Sequence, residues 1–176
     1  MSVLISGGCK NGKSYYAQEL ARAMGAPLYY IATMIPHDAE DDARIERHRR
    51  ERAGWGFETV ECGRDILRAL DGTDPSGAFL LDSTTALLSN EMFSSDGIDP
   101  TAGERVAQAL CEFVRRAPNT VVVSDGIYSD ANRYDAWTEC YRRNLARIDC
   151  ALAQVCDTVI EVVAGLKIVY RGNVLL

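Results

Sequence analysis

The chain contains 176 residues, of which 47% are hydrophobic and 25% are charged, and its net charge is −6. This length fits one domain over residues 1–176, which would bury about 70% of the surface that its unfolded chain exposes. The acidic balance argues against a general nucleic-acid-binding protein, because such proteins usually present a basic surface. With no run of about 18 apolar residues and no charged start before an apolar stretch, the sequence predicts a cytoplasmic protein without a membrane span.

The first element is a short apolar run, Val3–Ile5, which leads into the sequence Gly-Gly-Cys-Lys-Asn-Gly-Lys-Ser. This is a complete G-x-x-x-x-G-K-S/T loop, whose backbone N–H groups cradle phosphates, and a helix predicted over residues 15–24 follows it. Lys13 would reach the β- and γ-phosphate oxygens, and the Ser14 hydroxyl would ligate Mg²⁺. A glycine-rich turn that only caps a helix is the other interpretation, but the strand before the loop and the helix after it favour nucleotide binding. The predicted phosphate ligands are Gly7, Gly8, Cys9, Lys10, Asn11, Gly12, Lys13 and Ser14.

Apolar runs of strand length alternate with helix-period segments along the rest of the chain. Such alternation predicts an α/β fold, with a mostly parallel sheet and helices on both of its faces. The runs cover residues 3–6, 28–33, 78–82, 120–124 and 158–163.

Residues 38–52 have an acidic first turn and a basic last turn, which match the helix macrodipole and predict a helix. Ile45 is the only large apolar residue in this segment, so the helix cannot belong to the core. The helical period places Arg44, His48 and Arg52 on one stripe.

A solvated, salt-bridged surface helix is the ordinary interpretation of such a charge run. However, the five arginines of residues 38–52 surround one histidine, and guanidinium groups match phosphate oxygens bidentately. His48 is therefore also a candidate nucleophile in its neutral form, beside a polyphosphate site. His37, which precedes the helix, is expected to be an ordinary surface residue.

Two of the predicted strands lead into an aspartate, namely Asp82 and Asp125. A P-loop protein needs an acidic residue at the end of a neighbouring strand to orient the Mg²⁺ shell, and either aspartate could serve. An aspartate after a strand is equally often a helix cap or a turn former. The sequence leaves this choice open.

The second half of the chain contains a loop, two helices and a terminal turn. Residues 94–100 are predicted to form the loop, and Thr101 is predicted to begin the next helix in a capping box with Glu104. Residues 171–173 are expected to turn a short terminal hairpin between 168–170 and 174–176. The apolar faces of the two helices are assigned to the core: Val106, Leu110, Phe113 and Val114 in one, and Trp137, Tyr141, Leu145, Ile148, Leu152 and Val155 in the other.

Six cysteines are scattered along the chain without any C-x-x-C pair. This spacing indicates neither a zinc knuckle nor a thioredoxin-type motif. We expect them to be reduced thiols that are mostly buried.

Together these elements resemble the adenosylcobinamide kinase / adenosylcobinamide-phosphate guanylyltransferase family of cobalamin biosynthesis. The resemblance runs from the first strand to the terminal segment, and the order and spacing of the motifs carry more of it than any single motif. It is strongest over residues 7–14, 30–33, 43–52, 55–61 and 80–85.

The resemblance implies a RecA-like P-loop fold and two reactions. In the first, the γ-phosphoryl group of ATP or GTP passes to the aminopropanol hydroxyl of adenosylcobinamide, with Lys13, Ser14 and Mg²⁺ neutralising charge. In the second, His48 takes GMP from GTP and holds it until adenosylcobinamide phosphate displaces it, giving adenosylcobinamide-GDP. The resemblance also implies a homo-oligomer, namely a trimer, with Asp82 beside Ser14 at the metal. Its further implied nucleotide contacts are Thr33, Met34, Ile35, Arg49, Arg50, Glu51, Arg52, Glu61 and Asp82.

Several positions differ from the usual pattern of that family. After the fourth predicted strand the family has Asn-Glu-Val-Gly, whereas this chain has Ser-Asp-Gly-Ile-Tyr-Ser-Asp over residues 124–130, so the acidic position has become glycine. In the following helix, Ala146 and Asp149 stand where the family has glycine and asparagine, and Ala53 replaces a proline. The nucleotide end of the site matches the family, and the region expected to face the corrinoid differs.

These differences leave other functions open. The chain could retain only one of the two activities, or it could be a P-loop kinase with an unrelated acceptor, because the loop does not identify the acceptor. It could also be a regulatory nucleotide-binding protein that hydrolyses little. An RNA-binding surface on the arginine-rich helix is disfavoured by the acidic net charge. The preference for ATP or GTP is open as well.

Overall fold

The fold is built on nine strands and five α-helices in a computed structural model that describes residues 1–36, 38–95, 97–129 and 131–173. His37 and residues 174–176 therefore lie outside the described residues. The strands are β1 (Val3–Gly7), β2 (Leu28–Ala32), β3 (Phe57–Glu61), β4 (Ala78–Asp82), β5 (Phe93–Ser94), β6 (Gly97–Ile98), β7 (Thr120–Val123), β8 (Thr158–Val163) and β9 (Leu166–Arg171). The helices are α1 (Lys13–Ala23), α2 (Ala39–Glu51), α3 (Thr84–Met92), α4 (Ala102–Arg116) and α5 (Ala136–Val155).

Seven strands form one sheet in the order β3-β2-β4-β7-β1-β8-β9. All neighbours in this sheet are parallel except β8 and β9, which are antiparallel. The P-loop strand β1 thus lies inside the sheet, with β7 between it and β4. This confirms the predicted fold class, and each of the five predicted strands is present.

Helices cover both faces of the sheet because side chains alternate along each buried strand. On one face, Val3 and Ile5 pack with Leu20 of α1. On the other, Leu4 and Phe79 belong to a larger cluster that includes buried residues of α3, α4 and α5. The carboxyl ends of the parallel strands are left for the loops that carry the candidate site.

Strand β3 was not predicted from the sequence. Its five residues, Phe57–Glu61, pair in parallel with β2 at the edge of the sheet, and most of their side chains are exposed. An edge strand of this kind lacks the continuous apolar run that identifies a buried strand.

The capping box at Thr101 is wrong. Thr101 does precede α4, but its side chain makes no cap hydrogen bond to the helix. Instead, Asp99 Oδ1 accepts hydrogen bonds from both the backbone N–H (2.9 Å) and the hydroxyl (2.7 Å) of Thr101. Asp99 thus accepts the Thr101 N–H bond that Glu104 would accept in a capping box, and its bond to the hydroxyl directs the Thr101 side chain toward Asp99. Strands β5 and β6 form a short antiparallel pair inside the predicted loop.

A C-terminal hairpin is present, and its two strands are β8 and β9. Strand β9 pairs with β8, and Val163 faces Leu166, so the connection is Ala164–Gly165. Both residues have positive φ, 49° and 80°, as the tight two-residue turns that suit twisted strands require. The predicted second strand over 174–176 lies outside the described residues.

Two expectations about burial are partly wrong. Both helix stripes are confirmed as core, except that the Trp137 side chain is 48% exposed, because it lies in the first turn of α5. All six cysteines are free, as predicted, but only Cys62, Cys111 and Cys156 are buried.

Candidate active site

The P-loop is shaped by a close approach between its first residues and β8. Gly7 has a φ of 151°, and a Cβ atom there would lie 2.4 Å from the carbonyl oxygen of Val162. The Asn11 side chain donates a hydrogen bond to the same Val162 oxygen and accepts one from the backbone N–H of Lys13 (3.2 Å). Gly12, with φ 90°, then allows α1 to begin at Lys13. The loop thereby brings the N-terminus of α1, a favourable place for phosphate, to the end of β1.

Lys13 is held inside the loop by two acceptors. Its Nζ atom lies 2.5 Å from Asp125 Oδ1 and 3.0 Å from the carbonyl oxygen of Gly8. The ion pair is largely shielded, since the side chains of Lys13 and Asp125 are 6% and 19% exposed. Of the two aspartates that the sequence offered, Asp125 is therefore the one in direct contact with the P-loop lysine.

Asp82 lies at the end of β4 and faces the other part of the site. Tyr30 donates a hydrogen bond from its hydroxyl to Asp82 Oδ2 (3.1 Å). Burial raises the pKa of Asp82, and the charges of His48 and Lys13 act in the opposite direction. One carboxyl group is thus within electrostatic range of both the helix α2 histidine and the P-loop lysine.

Arg52 joins α2 to the sheet. Its guanidinium carbon lies 3.4 Å from the ring centroid of Tyr30, in a cation–π contact, and the residue is buried. Its Nη1 atom is buried and has no hydrogen-bond partner among the described residues. After Arg52, the chain carries Trp55 to α1, where its ring packs edge-on against Tyr15 at 5.5 Å. These contacts place the C-terminal end of α2 beside the P-loop helix.

The other arginines of α2 have different surroundings. Arg49 donates to Glu61 Oε1 at 2.7 Å, so two of the predicted nucleotide contacts meet, while Arg50 pairs with Glu46 at 2.9 Å on the exposed side of the helix. A cavity of about 510 Å³ lies beside Arg49 and Arg52. The side chains of Arg44 and Glu51 lie outside the described parts.

Thr33 is fully buried and serves to connect two strand ends. Its hydroxyl donates to the carbonyl oxygen of Ser83 (2.8 Å) and accepts from the Ser83 N–H (2.7 Å), while Asn90 donates to its carbonyl oxygen (2.7 Å). Met34 and Ile35 continue outward, and Ile35 is exposed. Of these three predicted nucleotide contacts, Thr33 has its hydroxyl and its carbonyl engaged within the protein.

Sequence reasoning missed two features of the site. Tyr30 connects Arg52 and Asp82; the resemblance over residues 30–33 includes it, but the sequence assigned it no role. Asp149 lies beneath the P-loop region and accepts hydrogen bonds from Ser124 (2.8 Å) and Tyr128 (2.7 Å). The only indication of Asp149 in the sequence was that the family has asparagine at this position.

The described residues do not form a cage of three or more metal-ligating side chains. The predicted pair, the Ser14 hydroxyl in the first turn of α1 and the Asp82 carboxyl at the end of β4, is a hard oxygen donor set. Mg²⁺ is commonly bound by one or two such protein oxygens together with substrate phosphates, so the residues fit this ion.

In the described part of the chain, no helix combines the length and the apolar character that a membrane span needs.

Comparisons with known proteins agree on one family. The sequence profile described as "Cobinamide kinase / cobinamide phosphate guanyltransferase" matches residues 3–170. The bifunctional adenosylcobalamin biosynthesis protein CobU of Salmonella typhimurium is 32% identical, over 96% of this chain and 98% of its own length. The protein CobP of Pseudomonas aeruginosa, with the same description, is 30% identical over 98% and 99%. A solved structure from Pyrococcus horikoshii OT3, 9% identical, covers 97% of this chain and 86% of its own with a TM-score of 0.56, which is a likeness of fold alone.

Proposed function

Because this chain belongs to the cobinamide kinase / cobinamide phosphate guanyltransferase family, we propose that it catalyses both reactions in that description. It would phosphorylate adenosylcobinamide with ATP or GTP, and then transfer GMP from GTP to the phosphate to give adenosylcobinamide-GDP. The observation that carries this proposal is the chain of contacts that joins the end of helix α2, which bears His48, to the strand ends: Arg52 stacks on Tyr30, and Tyr30 donates to Asp82. The groups expected for the two reactions converge on one end of the sheet, although they are distant in sequence.

In the kinase step, the P-loop backbone and Lys13 bind the β- and γ-phosphates of the nucleotide. Phosphoryl transfer depends on positioning and charge neutralisation, since little covalent chemistry falls to the protein. Lys13 leaves its contacts with Asp125 and Gly8 to meet the phosphate oxygens. The loop residues from Gly7 to Ser14 supply the backbone N–H groups.

In the transfer step, His48 attacks the α-phosphorus of GTP. The new bond joins an imidazole nitrogen to phosphorus, the bond to the bridging oxygen breaks, and pyrophosphate leaves. The arginines at the end of α2, Arg49, Arg50 and Arg52, offset charge on the phosphates as the transition state forms. The unpartnered Nη1 of Arg52 supports this assignment, because a buried guanidinium N–H without a partner is costly unless a ligand satisfies it.

Mg²⁺ belongs to this proposal as a companion of the nucleotide. When bound, the ion neutralises charge on the phosphate oxygens. The Ser14 hydroxyl and the Asp82 carboxyl would hold it, while Tyr30 keeps the Asp82 carboxyl in a fixed orientation through its hydrogen bond.

The first test is intact-protein mass spectrometry after incubation with GTP and Mg²⁺. We expect an adduct of one GMP on the wild-type chain, labile in acid, and no adduct on His48→Ala or with ATP. Arg115→Ala, which changes an exposed arginine of α4 that pairs with Glu112, is the matched control and should retain the adduct.

Absence of the adduct in wild-type protein that demonstrably binds GTP would refute the covalent route through His48. A second assay, transfer of labelled γ-phosphate to adenosylcobinamide, tests the kinase step separately. The two activities are tested separately because residues 124–129, in the region expected to face the corrinoid, differ from the family pattern.

We further propose that the protein is a homo-oligomer, in keeping with the trimer implied by the resemblance. Edge strand β9 supports this, since Leu166 is 72% exposed and Ile168, Val169 and Tyr170 are also exposed. Contiguous apolar surface of this kind is typical of protein interfaces. Light scattering coupled to size-exclusion chromatography measures the mass, and a monomer at micromolar concentration would contradict the proposal.

A further inference from the structure

Asp125 occupies the loop after the strand that separates the two halves of the site. Strand β7 pairs with β1 on one side and with β4 on the other, and Val123 aligns with both Ile5 and Asp82. Asp125 therefore follows β7 between the P-loop and Asp82. None of the nucleotide contacts proposed above includes it.

The backbone around Asp125 is firmly held. The Ser124 N–H donates to the carbonyl oxygen of Ile5 (2.9 Å), and the Gly126 N–H donates to the carbonyl oxygen of Gly7 (3.0 Å). Residues 124–126 therefore continue the pairing with β1 up to the P-loop. The Asp125 N–H donates to the hydroxyl of Thr85 (3.2 Å) in α3. Strand β1 and helix α3 thus fix the backbone that carries this carboxylate, as a pre-organised catalytic group requires.

The ion pair with Lys13 locates Asp125 relative to the nucleotide. The P-loop lysine reaches the β- and γ-phosphates, and Asp125 Oδ1 is 2.5 Å from its Nζ atom. The carboxylate must then lie within a few ångströms of the γ-phosphate, on the side of the lysine that faces the strand ends. A negative group in this place repels the nucleotide phosphates and competes with them for Lys13, so it weakens nucleotide binding.

We propose that Asp125 is the proton acceptor for the hydroxyl that attacks the γ-phosphorus. This inference rests on the kinase half of the proposed function and adds a catalytic residue to it. Nucleotide binding draws Lys13 onto the phosphates and releases Asp125 for the acceptor.

The acceptor oxygen forms a bond to the γ-phosphorus, the bond from that phosphorus to the β,γ-bridging oxygen breaks, and the nucleoside diphosphate leaves. The hydroxyl proton moves to the Asp125 carboxylate and later returns to solvent. Asp82 is less suited to this task, since its Oδ2 already accepts the Tyr30 hydrogen bond.

The test is Asp125→Asn, which keeps the shape of the side chain and removes the base. We expect kcat for phosphoryl transfer from ATP to adenosylcobinamide to fall by about 10²- to 10⁴-fold, the usual contribution of a general base. The equilibrium Kd for ATP, measured by calorimetry, should stay equal or become lower, because Lys13 no longer has a competing carboxylate. Asp125→Glu, which retains a carboxylate, should keep at least tenfold more activity than the asparagine variant.

Asp71→Asn, in an exposed turn after a short 3-10 helix, is the matched control and should leave both constants unchanged. A kcat for Asp125→Asn within threefold of wild type would overturn the inference. So would a loss of activity accompanied by an equal weakening of ATP binding, which would make Asp125 a ground-state binding residue. If the wild-type chain does not phosphorylate the corrinoid, the proposed function is refuted instead. The rate of basal ATP hydrolysis, in which water is the attacking hydroxyl, is then compared between wild type and Asp125→Asn in the same way.

Discussion

The buried Asp149 should make stability depend on pH in a way that one substitution removes. Burial raises the pKa of Asp149 to about 6, against the hydrogen bonds from Tyr128 and Ser124, and the nearby Asp125 adds to the increase. One of its oxygens, Oδ1, is buried without a partner among the described residues. Asp149→Asn keeps an oxygen for Ser124 and Tyr128 and removes the charge. The variant should therefore be more stable than wild type at neutral pH.

The size of the stability change follows from the difference between the pKa of Asp149 in the folded protein, about 6, and its ordinary value of 3.8. The folded state binds this proton more tightly, so the carboxylate opposes folding progressively as the pH rises from about 4 to 6, and the cost is constant above that range. A difference of about two pKa units corresponds to about 3 kcal/mol at pH 7. Below pH 4 both states are protonated and the cost disappears. About 1.3 kcal/mol of the change accrues between pH 5 and pH 7.

The assay is urea unfolding of both proteins at pH 5, 6 and 7, followed by circular dichroism. The changed hydrogen bonds contribute a constant offset, so the informative quantity is how the difference in unfolding free energy varies with pH. It should grow in favour of Asp149→Asn as the pH rises. A difference that is the same at all three values, or that shrinks toward pH 7, would refute the reasoning.

Three further substitutions test the architecture of the site. Gly7→Ala places a Cβ atom 2.4 Å from the Val162 oxygen, so titration calorimetry should show at least a tenfold loss of ATP affinity, and unchanged affinity would contradict the proposed loop geometry. Thr33→Val leaves the buried N–H and carbonyl of Ser83 without their partner and should lower the free energy of unfolding by about 2–4 kcal/mol in urea titrations; a loss below about 0.5 kcal/mol would mean that the link is dispensable. Phe79→Ala removes a fully buried ring that contacts Tyr29 and Phe113 and should cost about 3–5 kcal/mol in the same assay, with a near-neutral result arguing against the packing.

The resemblance and the P-loop were readable because they depend on local order. A complete G-x-x-x-x-G-K-S/T loop between a strand and a helix indicates phosphate binding by itself. The charge gradient of residues 38–52 predicted a helix there, and the structure has α2 with its N-cap at Asp38 and its C-cap at Arg52. Buried parallel strands were equally clear, since they are continuous apolar runs. Such features need no knowledge of distant partners.

The errors have a common cause. The Thr101 cap was wrong because Asp99 accepts from the Thr101 N–H in place of Glu104. The hairpin that the structure shows joins β8 and β9 through Ala164–Gly165, where no turn was predicted. Edge strand β3 was missed because its exposed residues follow no apolar run. In each case the outcome depended on a pairing that an apolar pattern does not reveal, with an acceptor for Thr101 and with a partner strand for β3 and β9.

The sequence by itself determined that this protein has a phosphate-binding loop on an α/β sheet, and it supplied the histidine, the arginines and both aspartates. It could not divide the aspartates between tasks, because each follows an apolar strand and looks the same in one dimension. Strand order separates the two carboxylates: with β7 between β1 and β4, Asp125 pairs with Lys13, while Asp82 accepts a hydrogen bond from Tyr30. Contacts between strand ends depend on how the sheet is ordered, and that order arises only when the helices pack on both faces.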